Sequence, residues 1–221
     1  REPHAGIAAL GDIQTCAIAS HGDTKHIMLF PSSPKECFEM GADAFDIADR
    51  MQTPVFVMTD LDLGMNQWVD DELVYKKRTY DRGKVLTAEQ LDKVKDFGRY
   101  LDVDGDGICY RTLPGTNHRK AAFFTRGSGH DEYARYTESP VVYERNMARL
   151  LKKWHTSKKY IPKPVTTGKP NAKIGIIAYG TSDHAVVETL DRLKNDNIKY
   201  LRLRSYPFTP DVEEFIRSCD T

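Results

Sequence analysis

The sequence has no net charge: 32 Lys and Arg balance 32 Asp and Glu across 221 residues. No global field therefore steers the chain onto nucleic acid or an anionic membrane, and any basic surface must be local. Cysteine is sparse. Cys16, Cys37, Cys109 and Cys219 stand 21, 72 and 110 positions apart, with no C-x-x-C pair to seat zinc, a redox disulfide or an iron–sulfur cluster. Reduced structural thiols are the expectation. No apolar run approaches the ~20 residues of a membrane span, no apolar segment follows a basic start, and no N-x-S/T acceptor occurs. These absences read as a cytoplasmic chain with no nucleic-acid or membrane partner.

What is present suffices for a core. Hydrophobic residues make up 40% and aromatics 10%, against 29% charged, too apolar for a chain disordered throughout. Ile27 to Phe30 reads as a short buried strand. Ser33, Pro34 and Glu36 then predict a capped helix, with Phe38, Gly41, Phe45, Ala48 and Met51 on its buried face. Thr53-Pro54 ends it, and Val55 to Thr59 reads as a parallel strand running into Asp60. Strand, helix, strand is the grammar of an open α/β sheet, whose ligands sit beyond the carboxyl ends of the strands.

A second helix is expected from Thr87 to about Phe97, with Gln90 completing a capping box and Leu86 stapled to Leu91. A third opens at Ser139-Pro140 and carries a stripe of Tyr143, Met147, Leu150, Leu151 and Trp154. Composition then shifts. Residues 156–172 are rich in Pro, Lys and Thr and read as a linker, dividing the chain into 1–155 and 173–221. The last part predicts a buried strand in KIGIIAYG, a helix marked by Val186, Val187, Leu190 and Leu193, a strand at Ile198 to Leu203 and a helix at Asp211 to Ser218. About fifty residues are few for a parallel α/β domain, so this end reads as part of one.

Three motifs carry candidate chemistry. Asp102, Asp104 and Asp106 alternate as in the first half of a calcium loop, with Gly107 for the turn, but Leu113 stands where a bidentate glutamate belongs. An incidental hard-cation site and a solvated Asp-Gly turn both remain open. Gly127-Ser128-Gly129-His130-Asp131 contains Ser, His and Asp, yet triad members adjacent in sequence cannot reach one another. It reads as a polar turn in a long loop, a place where ligand contacts concentrate. Arg145 to Lys173 carries nine Lys and Arg and no acid; without interleaved aromatics it reads as a solvated face.

The strings ASHGDTKHIMLFPSSPKECFEM, MQTPVFVMTDLDLGMN, GRYLDVDGDGICYRTLPGT, FTRGSGHDEYARYTE and AYGTSDHAVVETL together resemble the alpha subunit of 2-oxoacid:ferredoxin oxidoreductases, most of all the 2-oxoglutarate type. The resemblance runs in order from Gly11 to Thr221. It implies an α/β fold: the C-terminal part of a pyrimidine-binding domain of the thiamine diphosphate kind, followed by the start of a transketolase C-terminal-like domain. It also implies oxidative decarboxylation of a 2-oxoacid to acyl-coenzyme A and carbon dioxide. Thiamine diphosphate and Mg2+ would be shared with a beta subunit that holds a 4Fe-4S cluster, a gamma subunit is a further candidate partner, and ferredoxin takes the electrons.

By resemblance, His21, Gly22 and Asp23 are candidates for the cofactor side of the cleft, and His130 and Asp131 for substrate. The family's Tyr-Pro-x-Thr-Pro-Ser segment, its cofactor-activating glutamate and its substrate loop are not matched, so no catalytic residue is assigned. The chain is expected to be an incomplete piece, inactive alone. Gly105-Asp106-Gly107 mimics the opening of the diphosphate motif, but Glu132 to Ala134 occupy the place of its partner asparagine. The alternative reading is a non-catalytic α/β module that engages a cation or a protein partner, for which calcium would stabilise the fold in a saturable way.

Overall fold

A computed structural model describes residues 12–20, 24–75, 77–123 and 129–221. A short helix at 12–17 (α1) leads to strand β1 (Ile27–Leu29), helix α2 (Pro34–Met51) and strand β2 (Val55–Val57). β1 and β2 pair in parallel, Ile27 opposite Val55 and Leu29 opposite Val57. Period-two alternation sends Ile27 and Leu29 to one face and Met28 and Phe30 to the other. The first pair packs with Met40, Ile47, Met51, Ile108 and Trp154, the second with Ala17, Phe56, Met58 and Tyr179. A strand covered on both faces has no polar side to show, which is why it reads as an unbroken apolar run.

Local signals hold at α2. Ser33 Oγ accepts from the Glu36 amide at 3.2 Å, and Pro34 opens the first turn. The reciprocal bond differs from the expected box: the Glu36 carboxylate accepts from Ser32, at its amide (3.0 Å) and hydroxyl (3.1 Å). The buried face differs too. Met51 is buried as expected, but Met40 and Ile47 join it, whereas Phe38 is partly exposed and Phe45 is 77% exposed. Both sets recur at helical spacing, so periodicity alone cannot rank them; the sheet selects the flexible methionines, which fill irregular space against strand side chains.

Helix α3 (Leu61–Met65) follows β2, and α4 (Ala88–Lys93) has the complete Thr87–Gln90 capping box, 3.3 Å and 2.8 Å. It stops at Lys93, short of Phe97. Helix α5 (Pro140–Ser157) buries Trp154 and Ser157, while Tyr143 and Leu151 of the expected stripe stand half exposed.

The stretch read as a linker, 156–172, is more structured than its composition indicates. Ser157 still belongs to α5, Ile161 and Ala172 are buried, and strand β3 (Val165–Thr167) pairs antiparallel with β5 (Ile198–Leu203). β4 (Ile174–Tyr179) pairs in parallel with β5, giving the order β3-β5-β4. The chain runs from β5 through Arg204 into β6 (Ser205–Tyr206), which pairs antiparallel with β1; Phe30 N donates to Arg204 O at 2.8 Å. One run of residues thus serves both sheets.

Helix α6 (Ser182–Leu193) has no buried residue, and Ile174 and Ile177 of β4 are exposed, against the expectation of a buried strand. The edge of β4 away from β5 is met by residues 220–221, through Gly175 N to Thr221 O (2.7 Å), with Asp220 N to Lys173 O (2.7 Å) beside it. Helix α7 (Pro210–Arg217) packs Val212 and Phe215 on Leu201.

Candidate functional site

The aspartate-rich turn comes first because it anchors α5. Asp102 accepts the amides of Asp106 (3.1 Å) and Gly107 (3.0 Å), and Asp106 that of Ile108 (2.9 Å). Lys84 Nζ reaches Asp104 at 2.6 Å, Asp106 at 2.8 Å and the Ile108 carbonyl at 2.9 Å. Burial would lower the Lys84 pKa, but the two carboxylates outweigh it and hold it above the ordinary value. An ammonium therefore sits among the oxygens that were candidates for a hard cation. Among the described residues no three His, Cys, Asp or Glu gather as ligands, and the cation role of Asp102, Asp104 and Asp106 is not carried forward.

Gly107 has another reason to be glycine. Its φ is +81°, and a Cβ there would fall 2.3 Å from Lys153 N. The turn lies directly on the α5 backbone, joined by Arg149 Nη1 to Gly107 O (3.1 Å) and Thr156 Oγ1 to Asp106 O (2.7 Å).

This anchoring brings α5 against the 129–139 loop. His130 pairs with Tyr136 as an isolated antiparallel bridge, and Ala134 adopts φ +66° to close the turn between them. Asp131 Oδ1 accepts the amides of Tyr133 and Arg135, each at 2.9 Å, so this carboxylate builds the turn. The His130 ring stacks on Tyr100, centroids 3.9 Å apart. Its Nδ1 lies 3.0 Å from Asp131 O, an acceptor with no proton to give; Nδ1 therefore carries the hydrogen, and in the neutral ring Nε2 is the free base. Asn146 Nδ2 donates to His130 O at 2.6 Å.

His130, Glu138, Tyr143, Asn146, Met147 and Arg149 are among the residues that line a cleft of about 540 Å3. Arg149 is half buried and its Nε has no hydrogen-bond partner among the described residues. Such an orphaned donor is costly unless a ligand or water meets it. A guanidinium, an amide and an imidazole around one cavity suit a small carboxylate. The structure thus puts His130 at the cleft and leaves Asp131 behind it. Asn146 and Arg149 escaped the sequence reading; their i, i+3 spacing on α5 was the available signal, hidden inside a basic run. His21, Gly22 and Asp23 lie outside the described residues.

A second constellation lies at the carboxyl ends of the strands. Asp60 caps α3 through Leu63 N (3.0 Å) and accepts from Thr181 N (3.1 Å) and Thr181 Oγ1 (2.7 Å). Burial would raise its pKa, but these hydrogen bonds hold it below the usual carboxylate value. Thr181 therefore ties the α6 turn to β2, and its side chain makes no helix-capping bond.

Residues 3–90 match the thiamine-diphosphate-binding family of pyruvate flavodoxin/ferredoxin oxidoreductases. The chain is 29% identical to 2-oxoacid:ferredoxin oxidoreductase 2, subunit alpha, of Aeropyrum pernix, over 95% of itself and 33% of that protein. Nearly the whole chain is thus similar to 2-oxoacid:ferredoxin oxidoreductase alpha subunits. It is also 26% identical to 2-oxoglutarate synthase subunit KorA of Methanocaldococcus jannaschii, over 93% of itself and 54% of that subunit. The fold matches a 2-oxoglutarate:ferredoxin oxidoreductase of Magnetococcus marinus solved with 2-oxoglutarate, coenzyme A and succinyl-CoA, with a TM-score of 0.74, 22% identity and coverage of 95% of this chain and 36% of that one. The chain thus spans a third to about half the length of these relatives.

Proposed function

We propose that this chain is an alpha-subunit portion of a thiamine-diphosphate-dependent 2-oxoacid:ferredoxin oxidoreductase, with 2-oxoglutarate as substrate, and that it supplies one wall of the substrate cleft. The observation that carries the reading is the match of nearly the whole chain, in one alignment, to an alpha subunit, whose relatives include 2-oxoglutarate enzymes. The division into a pyrimidine-binding part at 1–155 and a transketolase C-terminal-like part from 173 belongs to the same proposal. So do Mg2+, the beta subunit with its 4Fe-4S cluster, a gamma subunit, and a cytoplasmic location. No helix among the described residues is long and apolar enough to cross a membrane.

The described residues do not fit the diphosphate. In the GDG turn, Asp106 is held by Lys84 and Gly107 lies against the α5 backbone, which leaves no cradle for phosphate oxygens. In this reading the diphosphate and its metal belong to the partner subunit, where bound thiamine diphosphate would supply the carbanion chemistry. This chain's share is positioning: Arg149 and Asn146 offer donors to a substrate carboxylate, and His130 Nε2 accepts a hydrogen bond at the cleft wall.

The test is co-purification with a beta subunit, followed by calorimetric titration of the pair with 2-oxoglutarate. The expected result is stable pairing, and at least tenfold weaker binding by the Arg149→Ala pair, since a hydrogen bond to a charged group contributes about 1.5–3 kcal/mol. A chain that folds but does not pair, or an Arg149→Ala pair that binds as tightly as the parent, rejects the reading.

A further inference from the structure

Lys153 takes no part in the proposed cleft. Its side chain is partly buried, and its Nζ donates to Gln52 O at 3.2 Å. Among the described residues no carboxylate pairs with it. The charged and titratable groups around it are Arg149 one turn back on α5, Arg99 and Cys109 from the preceding loop, and Lys25 across the adjoining cavity. Lysines that remain charged inside a protein almost always have an anion partner; this one has a carbonyl and two guanidinium groups.

The cavity beside it is mostly apolar, about 80 Å3, with walls from Ile27, Met51, Met147, Leu150, Leu151 and Trp154 and polar groups such as Thr53 and Ser157 among them. It opens between β1, the end of α2 and α5, on a different lining from the His130 cleft apart from Met147 and Leu150.

We infer that Lys153 is a covalent acylation site for short-chain acyl thioesters, its ε-amine attacking the thioester carbonyl while the acyl chain occupies the adjoining apolar cavity. The nitrogen lone pair forms the C–N bond, the C–S bond breaks, and the departing thiolate takes the proton that the nitrogen sheds. No oxidant or reductant is required. The product is an amide, which removes the buried charge. Burial, reinforced by Arg149 and Arg99, brings the Lys153 pKa down to about 8. At pH 7.5 the neutral fraction of the amine is then roughly two hundredfold that of an ordinary lysine near 10.4. The thioester class rests on the proposed function, whose product is an acyl-coenzyme A; the choice of an uncharged acyl chain rests on the apolar cavity walls, and the reactivity of the amine on neither.

The experiment incubates the full chain with S-butyryl-N-acetylcysteamine between pH 6.5 and 9.5 and maps acylated lysines by peptide mass spectrometry over time. The expected initial rate at Lys153 is at least tenfold the mean of the exposed lysines, rising with pH to a midpoint near 8. Leu151→Trp, a change at a half-exposed wall residue, is expected to slow Lys153 at least fivefold while leaving surface lysines unchanged, with a circular dichroism melt confirming the fold. Labelling that follows exposure and spares Lys153 overturns the inference. So does an unchanged Lys153 rate in folded Leu151→Trp, because the amine would then react without the cavity. No beta subunit is present, so failure to pair and failure to acylate are separate results.

Discussion

Gly107→Ala is expected to destabilise the chain by at least about 4 kcal/mol, the range reached when a packed interior contact is broken outright. Alanine at φ +81° carries a steric cost of roughly 1–2 kcal/mol by itself. The larger cost is the collision. The added Cβ would meet Lys153 N at 2.3 Å, Arg149 O at 2.7 Å and Lys153 Cα at 2.8 Å, all backbone atoms of a helix that cannot step aside. The turn must lift off α5, losing the bonds from Arg149 and Thr156 and opening the core beside Ile108 and Trp154. Urea unfolding followed by circular dichroism measures it. Gly105→Ala is the control: its φ is +71°, but the nearest atom is Lys152 Nζ at 3.8 Å, so about 1–2 kcal/mol is expected. Equal losses in the two variants would refute the close packing of the turn on α5.

The second large effect concerns the join between the two sheets. Arg202 on β5 makes a bidentate pair with Glu36 on α2, 2.9 Å and 2.7 Å, lies 3.4 Å from Asp183 on α6, and donates to Ser32 Oγ. Arg204 adds a contact to Glu36 at 3.3 Å. Arg202→Met keeps the aliphatic stem but leaves Glu36 and Asp183 facing the junction with less compensation. Removing one partner of a buried pair costs about 3–5 kcal/mol; with Glu36 only half buried, the lower end is expected. The double variant Glu36→Gln/Arg202→Met should regain part of that loss, since a neutral amide costs less to bury than a lone carboxylate.

The pH dependence of this pair has a defined sign. Burial would raise the Glu36 pKa, but hydrogen bonds from Arg202 and Ser32 and the charges of Arg202 and Arg204 outweigh it, holding the carboxyl below its ordinary 4.5. A depressed folded pKa contributes stability that is present above the unfolded value and is lost as pH falls through the folded one. The parent should therefore lose stability below about pH 4.5 through this group. In Arg202→Met the opposing influence weakens, so the gap between variant and parent should be wider at pH 7 than at pH 4. A gap independent of pH would show that Arg202 acts through packing alone.

Much of the local structure was legible before any coordinates. The Thr87–Gln90 capping box, the Ser33 cap and the strands at Ile27, Val55, Ile174 and Ile198 appear where spacing and cap chemistry put them, because each depends on residues within a few positions. The faces of the helices were less legible. On α2, Met51 is buried as its spacing indicates, but Phe38 and Phe45 compete with Met40 and Ile47, and only the position of the sheet decides between them. Residues 156–172 read as linker because β3 owes its existence to pairing with β5, a partner more than thirty positions away.

The sequence alone pointed to the α/β class, to the similarity with oxidoreductase alpha subunits, and to the loop around His130 as a candidate site. These follow from order, composition and local hydrogen-bond chemistry, all carried within short stretches of chain. Tertiary structure alone decided that Lys84 occupies the aspartate turn, that Asp131 shapes its loop while His130 faces the cleft, and that Arg149 and Asn146 join it there. It also decided that Lys153 is partly buried with no carboxylate partner among the described residues. Apart from the Asp131 turn, whose bonds reach only Tyr133 and Arg135, those outcomes depend on contacts between residues far apart in sequence, and no local pattern in the chain encodes which of its many charges will meet.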